Sequence, residues 1–239
     1  MLESDHRVAD LKVLSGNGPR AAVRELCMQF AQATGTAVDV QLDVNPEVVR
    51  RGIAGEAFDV AVGNPSTIEQ LIAAGKVVAG SLADIGTAGL AVGIRAGAAK
   101  PDLSSVEGFR RALVAANAVA FPAHGASGLY FAGLVDRLAL TREMQGKLRP
   151  MPAEDCVEVV ARGEADLVVV VATRMVGVSG IDVIGPIPEA LQTKIGFAAG
   201  LSASTKQPDT ARAMIAFLTA PAATATLRAN GVTPVHPSS

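Results

Sequence analysis

Leu14-Ser15-Gly16-Asn17-Gly18-Pro19-Arg20 joins a short, mostly apolar run over residues 11–14 to a helical pattern. Apolar side chains recur at Val23, Leu26, Cys27 and Phe30, the spacing of one helix face. Pro19 stands near the first helical position, where a missing N–H forfeits no intrahelical hydrogen bond. Asn17 or Gly18 is the expected cap. A helix start behind a loop of small residues gathers unpaired N–H groups and the positive end of the helix dipole, which suits an anion. Arg20 adds a full charge and a planar fork for a carboxylate or another oxyanion. Ser15, Asn17, Gly18 and Arg20 are therefore candidate ligand residues. The competing reading is a capped strand-to-helix turn that holds no ligand.

Working outward, the same joint recurs. Residues 37–42 alternate as a strand and end at Asp43-Val44-Asn45-Pro46, ahead of a helical run through Val49 and Ile53. Residues 58–62 form a strand that ends at Gly63-Asn64-Pro65-Ser66, ahead of a helix through Leu71 and Ile72. Asparagine thus precedes proline at each strand-to-helix joint, and a capping asparagine side chain is expected at each. In a parallel α/β sheet such joints share the carboxyl edge, where ligands of these sheets bind. Asn45, Asn64 and Ser66 join the candidates, with capping alone as the alternative for both asparagines.

Further strands are expected at 77–85 and 89–94, followed by a Gly-, Pro- and charge-bearing connection at 95–102. Ser104 with Glu107 reads as a capping box for a helix to about 116. A strand at 117–121 leads into Pro122-Ala123-His124-Gly125-Ala126-Ser127-Gly128 and a helix with Leu129, Phe131, Leu134 and Leu138 on its apolar face. Residues 148–151 lead to Glu154 and Asp155, read as the start of a helix through Val157 and Val160. The all-apolar run after Asp166 predicts a central, buried strand at 166–171. Strands at 181–184 and 195–201 and helices at 208–218 and 221–229 complete the pattern, with a disordered tail expected over 234–239.

Composition bounds what this α/β chain does. Its 239 residues suffice for one large domain or two small ones, and the net charge of −2 without a basic run excludes a nucleic-acid footprint. No apolar stretch is long enough for membrane insertion, and residues 1–7 lack the apolar core of a secretory signal. The chain as it stands reads as cytoplasmic, and as periplasmic if its start is processed or engineered. Cys27 and Cys156 read as separate buried thiols. Scattered His and Cys give no metal spacing, and no dinucleotide fingerprint is present, so no cofactor is expected.

Several segments carry a resemblance. Leu11-Lys12-Val13-Leu14-Ser15, Phe30-Ala31-Gln32-Ala33-Thr34-Gly35 and Gly55-Glu56-Ala57-Phe58-Asp59-Val60 resemble the first lobe of molybdate-type solute-binding proteins. Gly125-Ala126-Ser127-Gly128-Leu129-Tyr130, Val160-Ala161-Arg162-Gly163-Glu164-Ala165-Asp166 and Ala216-Phe217-Leu218-Thr219-Ala220-Pro221 extend it over nearly the whole chain. The resemblance implies a type II periplasmic-binding-protein-like α/β fold of two lobes, with two crossing strands at the hinge and the ligand in a cleft that closes on it. Lobe 1 then comprises 1–97 and 193–239, and lobe 2 comprises 98–192. It also implies capture of a small oxyanion or organic acid by a monomer that delivers it to an ABC permease. The family's first serine falls near Gly18 here, its second near Asn45 or Pro46, and its lobe-two tyrosine in Val169-Val170-Val171. Loss of these hydroxyls, with a guanidinium at Arg20, favours an organic acid over molybdate. A branch of the same fold resembles aconitate isomerase, which shifts a double bond in a tricarboxylate.

In lobe 2 the candidate ligand residues are His124, Ser127, Tyr130 and Thr173. His124 carries an imidazole, the commonest general base, and Glu154 is an acid near the same edge, so these two are the candidate bases if the chain is an isomerase. The alternatives are a loop histidine that only hydrogen-bonds, and helix-start acids at Glu154 and Asp155 placed for the dipole. Arg174 reads either as a second charge for the anion or as a solvated helix residue. His6 and His236 lie in the tails and are expected to be inert.

Overall fold

The computed structural model describes residues 10–235. His6, His236 and the end of the tail lie outside them. Along the chain run β1 (Leu11–Gly16), α1 (Arg20–Thr34), β2 (Val38–Asp43), α2 (Asn45–Ile53), β3 (Val60–Gly63), α3 (Pro65–Ala73), β4 (Ala83–Ala88) and β5 (Leu90–Arg95). Then follow α4 (Val106–Ala115), β6 (Val119–Pro122), α5 (Ala126–Arg137), β7 (Leu148–Met151), α6 (Glu158–Ala161), β8 (Leu167–Val171) and β9 (Ile181–Pro186). The chain closes with β10 (Ile195–Leu201), α7 (Pro208–Thr219), α8 (Thr224–Ala229) and β11 (Thr233–Pro234).

The chain forms two compact α/β units. The first runs to Gly86 and resumes at Gly196, and the second is Thr87–Ile195. The chain passes between them twice, within β4 and near the start of β10. Sequence reading places the first passage at Gly97, after β5. β5 lies in the second unit because it pairs with β8 and β9.

The first unit's sheet has the order β11-β4-β10-β3-β1-β2. β1 runs parallel to β2 and β3, so the ends of all three, Gly16, Asp43 and Gly63, lie on one edge. β10 is antiparallel to β3, with Ala198 opposite Gly63, and brings its own start to that edge. Behind the sheet pack Leu14, Val48, Phe58, Ala61, Ile68, Leu71 and Ala198. Each large apolar side chain buried there contributes about 1.5–3 kcal/mol before entropy is counted. Asp59 ties two remote segments together. Its carboxylate accepts from the Lys12 N–H (2.8 Å), the Thr205 hydroxyl (2.5 Å) and the Gln207 amide (3.1 Å).

The second unit's sheet has the order β7-β6-β8-β5-β9. β6 is parallel to β7 and β8, so Pro122, Met151 and Val171 end on one edge. β8 is buried throughout, as its unbroken apolar run predicts. Gln192 closes the return segment. Its amide accepts from the Leu90 N–H (2.7 Å) and donates to the Leu90 carbonyl (2.9 Å), as a neighbouring strand would.

Several local expectations are corrected. The α4 cap is Ser105, which accepts from the Gly108 N–H at 3.0 Å, while the Ser104 hydroxyl donates to Asp102 instead. Leu129 is exposed rather than on the apolar face, because the buried positions of α5 are Ser127, Gly128, Phe131, Leu134 and Val135. Glu154 and Asp155 lie in a turn ahead of the short α6, not in a helix start. The 77–85 strand is a bridge from Val77 to Ser202 followed by the later β4.

Candidate functional site

At the carboxyl edge of the first unit, three helices of at least two turns begin directly after β1, β2 and β3. Their first N–H groups have no intrahelical acceptor and the dipoles point their positive ends to this edge. The asparagine side chains make no cap bonds to these helices. Pro19, Val44 and Asn64 occupy the cap positions, and none makes a side-chain cap bond. Asn17 instead extends β1, its N–H donating to the Asp43 carbonyl at 2.8 Å.

Asn64 is drawn sideways. Its amide donates to the Gly196 carbonyl at 2.7 Å, which turns its oxygen towards the Asn45 amide, a donor to it. The Asn45 Oδ1 is then left buried without a hydrogen-bond donor. A Cβ on Gly16 would come within 2.2 Å of it, and one on Gly63 within 3.0 Å. Gly18 is likewise closed in by the Phe197 ring, 2.8 Å from where a Cβ would be. The asparagines thus hold three strand ends in register, and the glycines let backbone come close.

Among the sequence candidates here, Asn17, Gly18 and Arg20 are half-buried at the edge, and Ser66 is exposed in the first turn of α3. Ser15 is fully buried, its hydroxyl donating to the Gly16 carbonyl at 3.0 Å.

In the second unit the loops after β6, β7 and β8 share the corresponding edge. Gly125 holds φ +90, a backbone shape that glycine adopts without strain, and so turns the chain into α5. Gly128 packs on the Pro122 carbonyl, which a Cβ would approach to 1.8 Å. His124 is exposed in this loop and Ser127 is buried at the start of α5. Tyr130 is committed to the chain, its hydroxyl donating to the Leu191 carbonyl at 2.8 Å, with the Arg137 guanidinium over its ring. Glu154 is exposed in the turn after β7.

Thr173 and Arg174 form the single turn after β8 and are 2% and 3% exposed. The solvated reading of Arg174 is therefore wrong. The Arg174 Nη2 donates to the Ala153 carbonyl at 2.6 Å, a contact across two loops that sequence spacing does not reveal.

The cysteines offer no reactivity. Burial pushes the Cys27 thiol up to about 12 and the Cys156 thiol up to about 11, so neither is a thiolate near neutral pH. Among the described residues no cluster of His, Cys, Asp and Glu could hold a metal ion, and no helix is long and apolar enough to cross a membrane.

Comparison with known proteins agrees with this architecture. The chain is 32% identical over 234 residues to an aconitate isomerase from a Pseudomonas species, covering 95% of this chain and 89% of that one. The periplasmic molybdate-binding protein of Azotobacter vinelandii superposes with a TM-score of 0.79 at 22% identity, covering 96% of this chain and all of that one. The sulfate-binding protein of Mycobacterium tuberculosis superposes with a TM-score of 0.75 at 17% identity, covering 95% of this chain and 88% of that one. These solved structures share the fold, that of type II periplasmic binding proteins. With the bacterial extracellular solute-binding protein family matching residues 11–233, the chain belongs to that family.

Proposed function

We propose that this solute-binding protein captures a small organic anion, a di- or tricarboxylate, on the carboxyl-edge loops, and hands it to an ABC permease. The observation that carries the reading is the convergence of the α1, α2 and α3 starts on one glycine-lined edge beside Arg20. Oriented N–H groups and a guanidinium stabilise negative charge without any titratable partner. A thermal-shift panel of molybdate, tungstate, sulfate, succinate, citrate, tricarballylate and trans-aconitate tests it. A ligand at a hundred times its Kd stabilises by about 2.7 kcal/mol, a clear rise in Tm. The expected result is a rise with one or more polycarboxylates that exceeds any rise with the tetrahedral oxyanions. A response to molybdate or sulfate alone would overturn the organic-acid reading.

The identity to an aconitate isomerase favours a second reading, isomerisation of an unsaturated polycarboxylate. A base removes a proton from the methylene carbon next to the double bond, the electron pair shifts along the three carbons, and a proton returns at the far one. His124 and Glu154, both exposed on the second unit's edge, are the candidate bases for this step. Incubation with cis- or trans-aconitate in deuterated water separates the readings: isomerisation incorporates deuterium at carbon, whereas binding alone leaves the ligand unlabelled.

A further inference from the structure

Arg174 is a buried cation without a counter-ion. Its Nε and Nη1 are inaccessible to solvent and have no hydrogen-bond partner, and no carboxylate lies within ion-pair distance of it among the described residues. The adjoining Thr173 hydroxyl is in the same condition. A guanidinium cannot escape burial by losing its proton. Leaving it unpaired is among the most unfavourable arrangements a protein interior holds. Yet the Ala153 carbonyl, accepting from Nη2, anchors it at the edge where β6, β7 and β8 end. Two adjacent buried polar side chains whose donors meet no acceptor in the protein thus lie together where β8 ends.

We propose that Arg174 and Thr173 form a carboxylate subsite in the second unit. It receives a carboxylate, with N–H groups at Nε and Nη1 and the Thr173 hydroxyl donating to its oxygens. This assignment rests on the organic-anion reading above and names the groups that select a carboxylate. Ionisable groups close to Cys156 together with Arg174 are Glu158 and Asp155. One oxygen of Glu158 is itself buried without a partner, so a purely structural pairing of Arg174 with Glu158 is the alternative to be separated.

The two roles predict opposite changes in the ligand-free protein. Removing an unpaired buried charge leaves stability unchanged or raises it, whereas removing half of an ion pair lowers it. For Arg174→Met, titration calorimetry with tricarballylate is expected to show a Kd raised about a hundredfold, with an unliganded Tm equal to or above that of the parent. Thr173→Val is expected to raise the Kd about tenfold with an unchanged Tm. Arg174→Lys keeps charge but loses the planar donor set, and is expected to fall between parent and Met variant. It carries the test if the Met variant does not fold. A Met or Lys variant that binds tricarballylate as tightly as the parent overturns the subsite, and a Tm drop without an affinity change assigns Arg174 to structure. If the parent itself binds no polycarboxylate, the organic-anion reading fails as well. If the parent binds and the variants bind equally, only the subsite fails.

Discussion

An Asp59→Ala variant is expected to lose about 2–4 kcal/mol of stability, a fall in Tm of roughly 5–15 °C for a protein of this size. The carboxylate is nearly buried and accepts from three groups: the Lys12 N–H in β1, and Thr205 and Gln207 ahead of α7. Truncation leaves these donors facing a void, and unmade buried hydrogen bonds are more unfavourable than made ones are favourable. Asp59→Asn restores the volume but turns an amide N–H towards donors at one of its two positions, so it recovers only part of the loss. Thermal or urea unfolding measures both. A Tm for the Ala variant within 2 °C of the parent would show that Asp59 does not hold β1 to the return segment.

The second large effect contrasts two glycines in one helix. Gly128 and Gly133 both lie in α5, and alanine is intrinsically better than glycine in a helix by about 1 kcal/mol. At Gly128 the added Cβ would lie 1.8 Å from the Pro122 carbonyl oxygen, which is backbone and cannot rotate away. At Gly133 its nearest neighbour is the Arg137 guanidinium at 3.8 Å, ordinary contact distance. Gly128→Ala is therefore expected to destabilise by about 3 kcal/mol, since the start of α5 must move off the end of β6. The shift also displaces the loop that carries His124 and Ser127. Gly133→Ala is expected to stabilise by about 0.5–1 kcal/mol. Chemical denaturation of the pair reads both signs. A stabilised Gly128→Ala protein would mean that the close approach to Pro122 is not a feature of the folded state.

Local chemistry explains what sequence reading recovered. The helix after Pro19 and its stop at Gly35, which holds φ +73, follow from apolar spacing and a left-handed turn. The buried centre of the second sheet follows from the apolar run of β8. Pairing was not legible: β10 enters between β3 and β4 from more than a hundred residues away, and no local pattern announces that register. The same limit applied at the site. The joints with Asn45 and Asn64 are legible in sequence, where their side chains read as caps or as ligand contacts. Their actual partners, each other and the Gly196 carbonyl, meet only after β10 is placed. Arg174 shows the effect most sharply, since sequence leaves it open between a charge for the anion and a solvated residue, and only the loop bearing Ala153, folded over it, removes the second reading.

The crystal structure of the protein grown with tricarballylate tests the central claim most directly. The account predicts the anion on the carboxyl-edge loops, with a carboxylate oxygen within about 3 Å of the Arg174 Nε or Nη1. An anion bound away from these edges, with only water meeting the Arg174 nitrogens, would contradict it.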